Sequence, residues 1–99
     1  MTSLPPFLQS FVDRRPEFGA LVSGLRERAY YTPGALSIKH KLLIALALDI
    51  AAGAEEGVRL LAARAREAGA SDEEILDVVQ VCYSVGGLGR LSTAAKAFD

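Results

Sequence analysis

Apolar residues recur along this chain at intervals of three and four, and no segment alternates apolar and polar residues for long. That periodicity predicts helices and no sheet. Pro5–Pro6 opens a short first helix with Phe7, Leu8, Phe11 and Val12 as its apolar side. Pro16 suits the first position of a second helix, where its missing N–H is not needed. Phe18, Leu21, Val22, Leu25 and Ala29 then repeat at helical spacing, with Arg26, Glu27 and Arg28 pointing away. Pro33 disfavours helix at Thr32 and Gly34 permits a turn, so this helix ends around Tyr30–Tyr31.

Ser37 reads as the N-cap of a third helix that runs to about Ala52, and Gly53 fits its left-handed stop. From Leu42 onward this helix is apolar nearly all round, which predicts a central place in a bundle. A fourth helix follows and ends at Gly69, with Glu55–Arg59 as an i,i+4 pair on its outer face. Ser71 and Glu74 form a capping box for a fifth helix that buries Ile75, Leu76, Val78, Val79 and Cys82. Gly86 and Gly87 close it, and a last short helix spans Leu88–Phe98. The expected fold is an all-α bundle of five to six helices with short connections.

Composition sharpens this picture in one respect. The 99 residues fit one domain, 1–99, with a single core, and a chain this short buries only roughly 60–65% of its unfolded surface. Yet 51% of its residues are hydrophobic against 23% charged. The simplest resolution is a homo-oligomer, dimer to hexamer, with apolar surface in subunit interfaces. A net charge of −1 with interspersed signs gives no footprint for nucleic acid or an anionic membrane. The single cysteine excludes an intrachain disulfide and suits a reducing cytoplasm. The N-terminal stretch lacks the basic-then-apolar order of a signal peptide, and the longest apolar run, residues 42–54, is too short for a bilayer.

Few side chains carry chemistry. Cys82 falls late in its helix beside Val78, Val79 and Val85, away from the helix N-terminus or cation that would activate a thiol, and reads as a buried structural thiol. His40 stands between two lysines without ligand partners at i+3 or i+4, which points to a surface or interface residue and no metal site. Asp49 is the only charge between Lys41 and Glu55. It either reaches the surface or has a partner such as an arginine or tyrosine, as a structural salt bridge or interface contact, or it is an acid/base or ligand-orienting group in a pocket. The stretch Ser84–Arg90 reads as a helix stop and tight turn, since it matches neither phosphate-binding glycine pattern, although an anion cradle assisted by Arg90 is the other reading. Tyr30, Tyr31 and Tyr83 suit core or interface positions with hydroxyl partners. No cofactor motif is present.

Over Pro16–Phe98, more than four-fifths of the chain, the sequence resembles the carboxymuconolactone decarboxylase / alkylhydroperoxidase D family. The resemblance rests on ALSIKHKLLIALALDIAAGAEEGVRLLAARAREAGASDEEILDVVQVCYSVGG. Within it, L-S-x-K-x-K-x-L-I-A-L-A precedes A-x-G-A-x-x-G, then A-x-E-A-G-A-S-x-E-E-I and a final V-G-G. The resemblance implies an alkylhydroperoxidase D-like helical bundle that assembles as a dimer, trimer or hexamer. Redox members of that family carry a C-x-x-C pair, a histidine four residues beyond it and a glutamate early in the central helix. Laid onto this chain, the cysteines fall at Ala54 and Gly57, the histidine at Leu61 and the glutamate at Leu42. All four are apolar, so a dithiol peroxidase would have no nucleophile. Decarboxylase members keep a histidine near Leu61, and His40, two residues from the glutamate position, is turned roughly 200° away around the helix. The expectation is a non-redox homo-oligomeric binding or structural module with a possible small-molecule ligand. The alternative is a lactone-type decarboxylase or isomerase using Asp49, His40 or a tyrosine such as Tyr83. Peroxide reduction through Cys82 alone comes last.

Overall fold

Proline, serine and glycine set the helix boundaries where the sequence places them. In the computed structural model, which describes residues 4–99, the elements are α1 (Pro6–Arg14), α2 (Pro16–Tyr30), α3 (Ile38–Ala52), α4 (Glu55–Glu67), α5 (Asp72–Gly86) and α6 (Leu88–Ala94), with a short 3-10 helix at Ala95–Phe98. The expected last helix is thus an α-helix that tightens in its final turn. No strand occurs among the described residues. Nor is any helix among them long and apolar enough to cross a membrane. The chain divides into two compact units, one ending at Thr32 and the other running Pro33–Asp99.

The first unit is a pair of helices. α1 and α2 pack on each other where Gly19 lies against Val12: a Cβ at Gly19 would meet Val12 Cγ1 at 2.6 Å and its Cβ at 3.0 Å. Glycine is what lets the two backbones approach so closely. The stripe that marks α2 in sequence does not build a core, because Leu21 and Leu25 are 74% and 70% exposed and only Gly19 is buried in that helix. At its end the Tyr30 and Tyr31 rings meet edge to face at 6.0 Å, and the Arg26 guanidinium lies 5.4 Å over Tyr30.

The second unit holds the apolar core, Leu42, Leu46, Ile50, Val58 and Ile75, with Ala62 and Ala65 between the larger chains. α3 is central, packing on α4, α5 and α6. Ser37 Oγ accepts from the His40 backbone N–H at 3.2 Å and caps α3, whose other end stops at Gly53 with φ +74°. The capping box closes as expected, with Glu74 N–H donating to Ser71 Oγ and Ser71 N–H to Glu74 Oε1. Lys39 Nζ donates to the other oxygen of the Glu74 carboxylate at 2.9 Å and so ties the start of α3 to the start of α5. The hydrogen bond from Ser71 N–H, followed by the one from Lys39, holds the Glu74 carboxyl below its usual range.

Three sequence expectations change here. Arg59 engages Glu56 and Asp99 rather than Glu55, because the C-terminal segment brings a carboxylate to it that no local spacing reveals. Leu76 is 41% exposed and Val78 and Val79 are half-buried, so α5 buries only Ile75 and Cys82. Val85, expected beside Cys82, projects outward and is exposed. A 3.6-residue repeat marks a face, but how much of it is covered depends on what packs there.

Candidate functional site

The corner between α3 and α4 is built by Gly53, whose left-handed φ reverses the chain so that the last turn of α3 meets the first turn of α4. Across that corner the Asp49 carboxylate lies directly over Gly57. A Cβ at Gly57 would collide with Asp49 Oδ2 and stand 2.9 Å from Asp49 Cγ. The Asp49 carboxylate occupies the space that a side chain at position 57 would enter. Asp49 is half-buried and has no ion-pair partner within the chain among the described residues. Burial without a compensating charge pushes its carboxyl above the usual aspartate range.

The other positions onto which the family resemblance laid chemistry are packed. Leu42 and Leu61 are 1% and 8% exposed and belong to the core, while Ala54 is half-buried as the residue before α4. No donor, acceptor or nucleophile is contributed by Leu42, Ala54 or Leu61. Among these positions, Gly57 is the one against which the Asp49 carboxylate lies.

Cys82 is buried, and its Sγ lies 3.7 Å from the Ala47 carbonyl of α3. Burial pushes the thiol up, and the positive charge of Arg90 opposes this only in part. The thiolate is the reactive form, and this environment disfavours it. Arg90 reaches back over Gly86, where a Cβ would stand 2.7 Å from its Cδ. The Ser84–Arg90 stretch is thus a helix end and turn, with Gly87 at φ +79° and α6 beginning at Leu88. Tyr83 is exposed, and neither it nor Cys82 joins the α3–α4 corner.

His40 is exposed at the start of α3, with its Nδ1 2.7 Å from Ser37 Oγ. It borders two spaces. One is an apolar groove of about 370 Å³ between α3 and α5, lined by Leu43, Ile44, Ala47, Val78 and Val81, with Asp77 as its carboxylate. The other, of about 540 Å³, is more polar and is lined by Ser37, Lys39 and the turn at Ala68–Gly69. Asp49 lines neither. Among the described residues no group of three or more His, Cys, Asp or Glu side chains could hold a metal.

Sequence reasoning singled out His40, Asp49, Cys82 and Tyr83, and the structure keeps them apart rather than gathering them in one pocket. It missed the contact of Asp49 with Gly57 and the part of Ser37 beyond capping. For Ser37 the signal was available, since a histidine three residues after an N-cap serine stands within reach of its hydroxyl.

The profile of the carboxymuconolactone decarboxylase family matches residues 16–99. Among solved structures, the chain is similar to an apo carboxymuconolactone decarboxylase family protein from Legionella pneumophila, with 31% identity and a TM-score of 0.84 over 91% of this chain and 80% of that one. It is also similar in fold to a provisionally named carboxymuconolactone decarboxylase from Burkholderia xenovorans, with a TM-score of 0.88 at 24% identity over 96% of this chain and 74% of that one. No curated protein matches the sequence.

Proposed function

We propose that this chain, which belongs to the carboxymuconolactone decarboxylase family, works as a non-redox, homo-oligomeric binding or structural module of the cytoplasm. The observation that carries the reading is the occupancy of positions 42, 54, 57 and 61. Leu, Ala, Gly and Leu stand there, two of them sealed in the core, and the one cysteine is buried elsewhere with burial pushing its thiol up. Without a thiolate there is no electron-pair donor to open a peroxide bond. A peroxide-consumption assay with a thiol donor should show no turnover above buffer, and turnover abolished by Cys82→Ser would overturn the reading.

Self-association is supported by the apolar side chains left outside the core: Leu21 and Leu25 on α2, and Val85 and Leu88, 86% and 76% exposed, at the turn between α5 and α6. Surface of that kind on so small a chain favours burial against another copy. Light scattering on the eluting protein should give a multiple of the 10.5 kDa chain mass. A monomer at micromolar concentration would overturn this part.

One observation favours a second reading, a small-molecule decarboxylase or isomerase. Asp49 is a half-buried carboxylate with its pKa raised, at the corner where the family resemblance places chemistry. A ligand-induced shift of the Asp49 carboxyl resonance, with a lactone or β-keto acid as probe, would support that reading over the first.

A further inference from the structure

The geometry points to Ser37 and His40 as a nucleophile–base pair for ester hydrolysis, with the groove between α3 and α5 receiving an apolar acyl chain. Ser37 Oγ and His40 Nδ1 are 2.7 Å apart. A hydroxyl held at that distance from an imidazole is the arrangement that activates a weak oxygen nucleophile, because the ring removes the proton as Oγ bonds to carbon. Oγ also accepts from the His40 backbone N–H at 3.2 Å. In the tautomer whose Nδ1 carries no hydrogen, the hydroxyl donates to the ring and keeps one lone pair for attack. Both residues are exposed, so a substrate reaches them.

The two cavities supply the independent observation. His40 lines both the apolar groove and the polar cavity that includes Ser37. An ester with its acyl chain against Leu43, Ile44, Val78 and Val81 and its alcohol part on the polar side brings its carbonyl to the wall shared by the two spaces. A groove of about 370 Å³, mostly apolar with a few convergent polar groups, falls within the range of small-molecule sites. Asp77 is the carboxylate on the α5 wall of the same groove. The Ile38 and Lys39 N–H groups, in the first turn of α3, have no intrahelical acceptor and are available to the developing oxyanion.

The steps balance without a redox partner. Ser37 Oγ bonds to the acyl carbon as its proton passes to His40 Nδ1. The imidazolium then gives that proton to the alcohol oxygen, whose bond to the acyl carbon breaks. Water attacks the acyl-serine with His40 as base, the Oγ–carbon bond breaks, and the proton returns to Oγ. Ester and water become carboxylic acid and alcohol.

An N-cap serine makes the same backbone contact for stability alone, and the experiment separates the two roles. The full chain is treated with p-nitrophenyl octanoate, and separately with an octyl fluorophosphonate that phosphonylates an activated serine with loss of fluoride. Hydrolysis above buffer and an adduct on Ser37, found by peptide mass spectrometry, are expected. Replacement of octanoate by acetate should lower kcat/KM about tenfold or more, as an acyl chain too short for the groove loses its binding. Ser37→Asp keeps a capping oxygen, so Tm should hold while adduct and turnover vanish. His40→Gln should lower turnover about 100-fold or more. Absence of the Ser37 adduct in the folded wild-type chain, or octanoate hydrolysis that survives Ser37→Asp, overturns the proposal. Neither result bears on peroxide inertness or subunit mass, so this inference and the proposed function fail separately.

Discussion

The two units of this chain are written in the same helical periodicity and reach opposite ends of it. α2 carries a regular apolar stripe and buries only Gly19, whereas α3, whose apolar residues run almost all round, buries Leu42, Leu43, Ala45, Leu46 and Ile50. The difference is one of composition, since α3 is apolar nearly all round while α2 sets its stripe among charged residues, and also one of partners. α3 has three helices packed on it, and the α1–α2 unit has within itself only two facing helices, joined at Gly19 and Val12. An apolar stripe becomes a core only when a second and a third surface close over it. Where they do not, it remains surface available for association.

The largest test of that contrast is truncation at matched residues. Leu46→Ala, in the closed core, should cost about 2–5 kcal/mol in denaturant unfolding. Leu25→Ala, on the open stripe, should cost no more than about 0.5 kcal/mol under conditions where subunits are dissociated. A similar loss for both would mean that α2 is as covered as α3. Next in size, Gly19→Ala drives a methyl into Val12 and should destabilise the α1–α2 pair by about 1–3 kcal/mol. Hydrogen exchange should then quicken in α1 and α2 and leave α3–α5 protected; uniform quickening would show that the two units unfold together. Ser71→Ala removes the cap of α5 and should cost about 1 kcal/mol, read as a lower Tm.

The smallest effects are in pH, and two carboxylates bring opposite signs. Glu74 has its folded pKa lowered, so its contribution is present above the ordinary glutamate range and is lost as pH falls through the depressed value. Asp49 has its folded pKa raised, so its charged form opposes folding above that value and the penalty fades as pH falls through it. Asp49→Asn should therefore raise Tm at neutral pH and leave it little changed in acid, whereas Glu74→Gln should lower Tm at neutral pH. A lower Tm for Asp49→Asn at neutral pH would mean that the carboxylate has a stabilising partner.

Legibility in the sequence follows the range of the interaction. Helix starts at Pro16, Ser37 and Ser71 and the stop at Gly53 rest on contacts within one turn, and each appears where its residue type predicts. The order of motifs along residues 16–99 identified the family and with it the all-α fold. Contacts that join distant or reversed segments were illegible. Asp49 meets Gly57 only because Gly53 turns the chain, and Arg59 finds Asp99 only because the C-terminal 3-10 helix packs on α4. The exposed sides of Leu76 and Val85 were hidden for the same reason, since spacing fixes an angle around a helix and not the neighbour that covers it.

The contact of Asp49 with Gly57 also constrains which sequences lie one step from this one. Any side chain introduced at position 57 meets the carboxylate first, so the effect of a change there depends on whether position 49 has already become smaller or swung aside. Gly57→Cys on the present background requires the Asp49 carboxylate to move, whereas after Asp49→Ala that requirement is gone, so the costs of the two changes are coupled rather than additive.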